Sequence, residues 1–273
     1  MVRNANHREA REKCDTDDFS LVLWAFKYRG YDKGAKQIHM TLLHRKPPVI
    51  MNIKKIRRLM KKYNLFCFVR SLNPRRQIAK ALQTNNVAPN ILNRHFLDFG
   101  PRMSLLTDIT YIPYNDKFAY LSVIKDSFTK EILSYVLSDS LEVDFVLETV
   151  KLLVKNHGNE LTSKTFIHSD RGSHYTSYPY IDILNDNDIR RSMSAKAQCW
   201  DNAPQESFFG HMKDDINKKI KNCNTFDEVR FIIDDYIDYY NNDRYQWELA
   251  KLSPIEYYKY ITTHVYPIPY IND

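Results

Sequence analysis

Three β-branched and aromatic runs in quick succession, SLLTDITYIP (104–113), FAYLSVIK (118–125) and EILSYVLS (131–138), constrain this chain more than any other feature. Short polar breaks at Tyr114–Lys117 and Asp126–Lys130 separate them, and strands joined by tight connections form an antiparallel meander. A helical stretch from Leu141 to Asn156 follows, with Val143, Val146, Leu147, Val150, Leu153 and Val154 apolar. A short strand (Thr165–His168), a Tyr-rich helix (Tyr178–Asn185) and a strand near Ile189–Met193 come next, and two long helices, roughly 203–221 and 226–241, close the pattern. This order predicts a mixed α/β core, a five-stranded sheet with helices on its faces.

Ahead of Pro101 the chain is of another kind. Residues 1–100 carry 21 Lys and Arg against 7 Asp and Glu, and residues 101–273 carry 19 against 26, so a net +14 precedes a net −7. A basic arm on a mildly acidic body suits a segment that grips a polyanion; a well-solvated basic surface is the plainer alternative. Two helices are expected there. Gly34 to His44 places Ala35, Ile38, Leu42 and Leu43 on one face, and Pro47-Pro48 then breaks the helix. The second opens at Asn52, a good N-cap, places Ile53, Ile56, Met60 and Tyr63 at helical spacing, and ends near Asn64. Lys54, Lys55, Arg57, Arg58, Lys61 and Lys62 fill its other positions with no carboxylate between them, as a DNA-recognition helix would have it; the alternative is an ordinary solvated face. The organisation expected is a basic helical DNA-binding region (1–68), a basic linker (69–100, with Arg70, Arg75, Arg76 and Lys80), the α/β core (101–262) and a short tail (263–273).

Several classes are set aside. No run approaches the eighteen or so apolar residues of a membrane span, and MVRNANHREAREK lacks the apolar core of a secretory signal, so a cytoplasmic protein is expected. Cys14, Cys67, Cys199 and Cys223 are scattered, with no pairing at zinc spacing.

Three carboxylates then stand out. Asp108 sits mid-strand in an apolar run, where a charge is costly unless paired or bound to a metal. Asp170 follows the short strand in HSDRGSHYTS, beside Gly172. Glu206 opens a helix after WDNAP, where Asn202 can cap and Pro204 suits the first turn. Singly, each has a plain explanation: a partner for a nearby Lys, a turn aspartate, a first-turn glutamate favoured by the helix dipole. Residues 171 to 205, 35 in all, lie between Asp170 and Glu206, and Lys213 follows two helical turns beyond Glu206 on the same face.

The strings around these residues carry a resemblance. TDITYI, HSDRGSHYTS, SMSAKAQCWDNAPQESFFGHMK and YNNDRYQW…LSPIEYY resemble the second-reading-frame transposases of the IS-three (insertion sequence three) family, and GAKQIHMTL…MNIKKIRRLMKKYNL resembles their front helix-turn-helix. The match runs from about Tyr31 to Tyr258. Ala195, Ala197 and Gln198 depart from the usual SMSRKGNCWDN, and YDKGAKQI departs from YGYRRI; these changes bear on DNA-end affinity more than on chemistry. The resemblance implies a ribonuclease H-like, integrase-type core and metal-dependent cleavage and strand transfer at insertion-sequence ends. Two Mg²⁺ (magnesium) or Mn²⁺ ions would be shared by Asp108, Asp170 and Glu206, with Asp108 bridging. Lys213, with His174 and Asn202, would position phosphate. The partners implied are DNA, an upstream-frame product or frameshift fusion, and further copies in a homo-oligomeric active complex. The chain shows no heptad segment and is expected to be the downstream product alone. Two other classes stay open: a metal-dependent nuclease with the same triad but no strand transfer, and a silent transposase-derived DNA-binding regulator, which would have no need of Asp108, Asp170 or Glu206.

Overall fold

The computed structural model describes residues 2–67, 87–194 and 202–268, with side chains from Glu12 onward. The basic linker segment 68–86, with Arg70, Arg75, Arg76 and Lys80, and residues 195–201, with Ala195, Ala197, Gln198 and Cys199, lie outside them. The chain divides into two compact units: one holds the described residues up to 67 and those from 239 on, the other those from 87 to 238.

In the sheet-containing unit, β1 (Ser104–Tyr114), β2 (Lys117–Asp126) and β3 (Ile132–Ser138) form the expected antiparallel meander. The β1–β2 turn needs only Asn115 and Asp116, both at positive φ, as a two-residue hairpin turn of matching twist requires. Helix α4 (Asp144–His157) then carries the chain back to β4 (Phe166–Ser169), which pairs parallel with β1. After α5 (Ser173–Thr176) and α6 (Tyr178–Asn185), β5 (Arg190–Met193) pairs parallel with β4. The sheet order is β3-β2-β1-β4-β5, the mixed five-stranded sheet expected. Phe145, Val146, Val150 and Leu153 of α4 bury against Ile124 and Leu133 of the sheet, in a core shared with Leu105 and Ile167. Helix α7 (Ala203–Ile220) packs on β1 from its own buried Phe208, Phe209, Met212 and Ile216. Helix α8 (Phe226–Asn242) is tied to β3 where the Tyr135 hydroxyl donates to Asp234 at 2.8 Å.

One buried ionic cluster holds the start of β1. Arg102 donates to Glu131 at 2.8 Å, to Asp126 at 3.2 Å and to Glu160 at 2.5 Å. Burial alone would lower its pKa, but the three carboxylates outweigh that and raise it.

The helical unit contains α1 (Val2–Lys27), which the sequence pattern did not announce, with α2 (Ala35–Leu43), α3 (Ile53–Lys62) and α9 (Pro254–Thr263). Val22, Ala25, Phe26, Ile38, Leu42, Ile56 and Leu59 form its core. Asn52 caps α3 as expected, its side chain accepting from the Lys54 N–H at 2.8 Å. Ser253 and Glu256 close a capping box on α9. Among the described residues no helix is long and apolar enough to cross a membrane.

Candidate active site

Strand pairing explains how Asp108 and Asp170 meet. The parallel β1–β4 register ends with Leu106 opposite His168. Continued by two residues, that register leads to Asp108 on β1 and toward Asp170 beyond the last residue of β4. Asp108 is half-buried, and one of its oxygens accepts from the Ile109 N–H at 2.8 Å. Asp170 lies just past the end of β4, and its Oδ1 accepts from the Gly172 N–H at 2.8 Å. Gly172 is required by a close approach: a Cβ there would lie 2.9 Å from Asp170 Oδ1.

Asp170 keeps contact with solvent, yet the protein around its carboxyl raises its pKa, with the Gly172 N–H and His174 opposing. Among the described residues it has no cationic side chain as an ion-pair partner. Tyr175, on α5, is buried. Its pKa is pushed well above the ordinary value, first by burial and then by the negative charges of Asp108 and Asp170, so both carboxylates lie close to this one phenol. The sequence reading passed over Tyr175; its place in HSDRGSHYTS, five residues past Asp170, was the available signal.

Glu206 occupies the first turn of α7, half-buried. Two bonds hold that end of the helix to the sheet. Asn202 Nδ2 donates to the Thr107 carbonyl, beside Asp108, at 3.3 Å, and the buried Lys125 donates through Nζ to the Pro204 carbonyl at 2.8 Å. Lys125 is another residue that sequence reasoning missed. Lys213 stands half-buried on α7, two turns beyond Glu206. Among the described residues no three His, Cys, Asp or Glu side chains close into a ready-made metal cage. The sheet thus carries Asp108 on β1 and leads to Asp170 just past β4, and two bonds anchor the Glu206 end of α7 to β1 and β2.

The supporting polar residues have structural partners. His168, fully buried on β4, is clamped by the hydroxyls of Ser192 at 2.8 Å and Ser194 at 3.1 Å, which ties β4 to β5. His174 is engaged by the Leu141 carbonyl at 2.8 Å, and since a carbonyl only accepts, Nε2 carries the proton. Asn202 is buried against Thr107.

In the helical unit, the basic face of α3 is not uniformly open. Arg58 makes a two-pronged pair with the buried Asp15 of α1, at 2.6 and 2.7 Å. Lys62 bonds Asp15 at 2.8 Å and Glu12 at 2.7 Å, and Lys55 pairs with Asp18. Arg58 and Lys62 hold the Asp15 carboxyl well below the usual carboxylate range. The carboxylates absent from the α3 sequence are supplied by α1. Lys54, Arg57 and Lys61 are exposed and take no part in these pairs.

Comparison with known proteins decides the family. Residues 100–199 match one integrase core domain family and residues 206–260 match a second of the same description. The putative transposase InsK for insertion sequence element IS150 of Escherichia coli (strain K12) is 33% identical over 82% of this chain and 76% of its own length. The chain belongs to the IS-three transposase family. An uncharacterized transposase-like protein of Haemophilus influenzae is 36% identical to this transposase over 64% of the chain and 79% of the relative. The simian T-cell lymphotropic virus intasome, solved in complex with the PP2A regulatory subunit B56 gamma, superposes with a TM-score of 0.50 at 14% identity, over 82% of this chain and 70% of the viral one. At that identity the likeness concerns the fold, which is ribonuclease H-like and of the integrase type.

Proposed function

We propose that this transposase cuts and joins DNA at insertion-sequence ends through a divalent-metal centre held by Asp108, Asp170 and Glu206. The observation that carries the reading is the parallel register of β1 and β4, which leads toward Asp108 and Asp170, while two hydrogen bonds fix the Glu206 end of α7 to β1 and β2. The donors are hard carboxylate oxygens, which suit Mg²⁺ or Mn²⁺. A carboxylate with no cationic partner, its pKa raised by its surroundings, is the group a divalent ion would relieve.

Asp108, Asp170 and Glu206 would together hold the ions through their carboxylate oxygens. When bound, such ions supply activation of water or a 3′-hydroxyl and neutralise charge on the phosphorus undergoing displacement. The protein contributes position. Gly172 fixes the Asp170 rotamer, Asn202 and Lys125 fix the approach of α7, and Lys213 lies on the face of α7 from which it would meet the DNA backbone. DNA ends and target are the partners, further copies of the chain complete the active assembly, and an upstream-frame partner contributes to the choice of ends.

The test incubates the full chain, with Mg²⁺ or Mn²⁺, with a labelled duplex bearing the element's end, beside Asp170→Asn. Metal-dependent joined products, lost in the variant, are expected. Metal-dependent nicking without joining would replace strand transfer by simple hydrolysis, and equal joining by the variant would remove Asp170 from the centre.

A further inference from the structure

Helix α3 carries its six cations in two stripes. Lys55, Arg58 and Lys62 follow one another at spacings of three and four, and so do Lys54, Arg57 and Lys61. With about 100° of rotation per residue, the two stripes, one residue out of step, lie on opposite flanks of the solvent half of the helix, separated by a little more than a right angle. Ile56 and Leu59 point into the core between them on the far side.

The α1 helix meets only one stripe. Glu12, Asp15 and Asp18, themselves three residues apart along one side of α1, face Lys62, Arg58 and Lys55 in antiparallel order. Phe19 stacks on Tyr63 at 4.1 Å and fixes the two helices in that register. A cation held by a hydrogen-bonded carboxylate has little counterion atmosphere to release and cannot give its donors to a phosphate without leaving Asp15 bare. The other stripe has neither restraint: Lys54, Arg57 and Lys61 are exposed and none forms an ion pair among the described residues.

We infer that Lys54, Arg57 and Lys61 form the backbone-contacting face of the helical unit, binding phosphates of duplex DNA, and that Lys55, Arg58 and Lys62 belong to the fold and touch no DNA. This rests on the proposal that the chain binds DNA and narrows it from a cationic helix to one side of it. The dimensions agree. Seven residues of helix rise about 10 Å, and one DNA strand presents a charge about every 3.4 Å along the axis, so three cations over that length match about three phosphates. Such contacts set register and orientation without reading sequence.

The experiment is a salt titration of the full chain binding a random-sequence duplex. Each phosphate contact contributes about 0.9 to the slope of log affinity against log salt. The triple variant Lys54→Gln, Arg57→Gln, Lys61→Gln should therefore flatten the slope by about 2.7 with its thermal transition unchanged, since none of the three holds the fold. The double variant Lys55→Gln, Lys62→Gln should keep the slope and lower the transition temperature. This pair leaves Arg58 on Asp15, so the helical unit keeps its central link. A slope loss of about 1.8 in the double variant, or none in the triple variant while the parent chain binds, would overturn the assignment. Absence of any salt-dependent binding by the parent would instead overturn the DNA-binding proposal beneath it.

Discussion

Asp15, in the helical unit, accepts two hydrogen bonds from Arg58 and one from Lys62, and its pKa is lowered. Asp170, in the sheet-containing unit, accepts one, from the Gly172 N–H, and its pKa is raised. Asp15 is buried and Asp170 reaches solvent, and what further separates them is whether the protein supplies the counter-charge. Where it does, the carboxylate stabilises the fold and is spent in doing so. Where it does not, the charge is kept for something from outside. In the Arg102 cluster every carboxylate is answered by the same guanidinium, yet burial keeps the Glu131 carboxyl above its ordinary range while Glu160 is held below it.

The sharpest break of this comparison exchanges the two effects. Asp170→Asn should reduce joining by roughly 10³-fold or more, since it removes several kcal/mol of transition-state charge stabilisation, while the melting temperature holds or rises because an uncompensated charge is gone. Asp15→Asn should do the reverse, lowering the melting temperature with the chemistry at a pre-cut end intact. A melting temperature that drops for Asp170→Asn would show that its carboxylate is structural after all. Arg102→Ala comes next. Removing the single cation leaves Asp126 and Glu131 buried and unanswered, a loss of about 3–5 kcal/mol in unfolding free energy, read by denaturant titration. A loss under about 1 kcal/mol would mean that water reaches the cluster in solution.

Gly172→Ala has a smaller and more local effect. The added methyl would sit 2.9 Å from Asp170 Oδ1, the far end of a side chain that can rotate away. The fold should tolerate this with little change in melting temperature, but the carboxylate leaves its position. Misplacement on that scale costs on the order of 10²-fold in rate. Full joining activity in Gly172→Ala would show that the Gly172 N–H does not set the working rotamer of Asp170.

The sheet-containing unit was legible because its signals are local. β-branched runs, tight breaks and the helical spacing of α4 each lie within a few residues, and the Asn52 cap was equally plain. Asp108 and Asp170 stood out in the sequence, and the register that pairs Leu106 with His168 leads toward both. The clamp of His168 between Ser192 and Ser194 depends on β5 lying next to β4, which no window of sequence shows. The same holds for the basic face of α3. Its lack of carboxylates was read correctly along the helix, but the partners sit on α1, more than 35 residues earlier in the chain. Helix α9 is a different case: its capping box, Ser253 with Glu256 three residues on, is a local signal that was there to be read. Nor does chain order reveal that residues from 239 on group with the N-terminal helices.

Acid sensitivity gives the finest distinction between the two aspartates. Asp15 has a native pKa below that of an unfolded aspartate, near 3.9. The unfolded chain therefore binds the proton first as pH falls, and the stability that Asp15 confers is complete above about pH 5 and drains away below about pH 4. Asp15→Asn removes that titration and leaves every other carboxylate in place. The difference in melting temperature between parent and variant should then be largest at neutral pH and shrink steadily between about pH 5 and pH 3. Hydrogen exchange across residues 53–62 locates the change, because the parent should lose protection in α3 over the same interval. A difference that stays constant through that interval would mean that Asp15 contributes by shape and hydrogen bonding alone. The pairing of Arg58 and Lys62 with α1 would then depend less on charge than the two-pronged geometry implies.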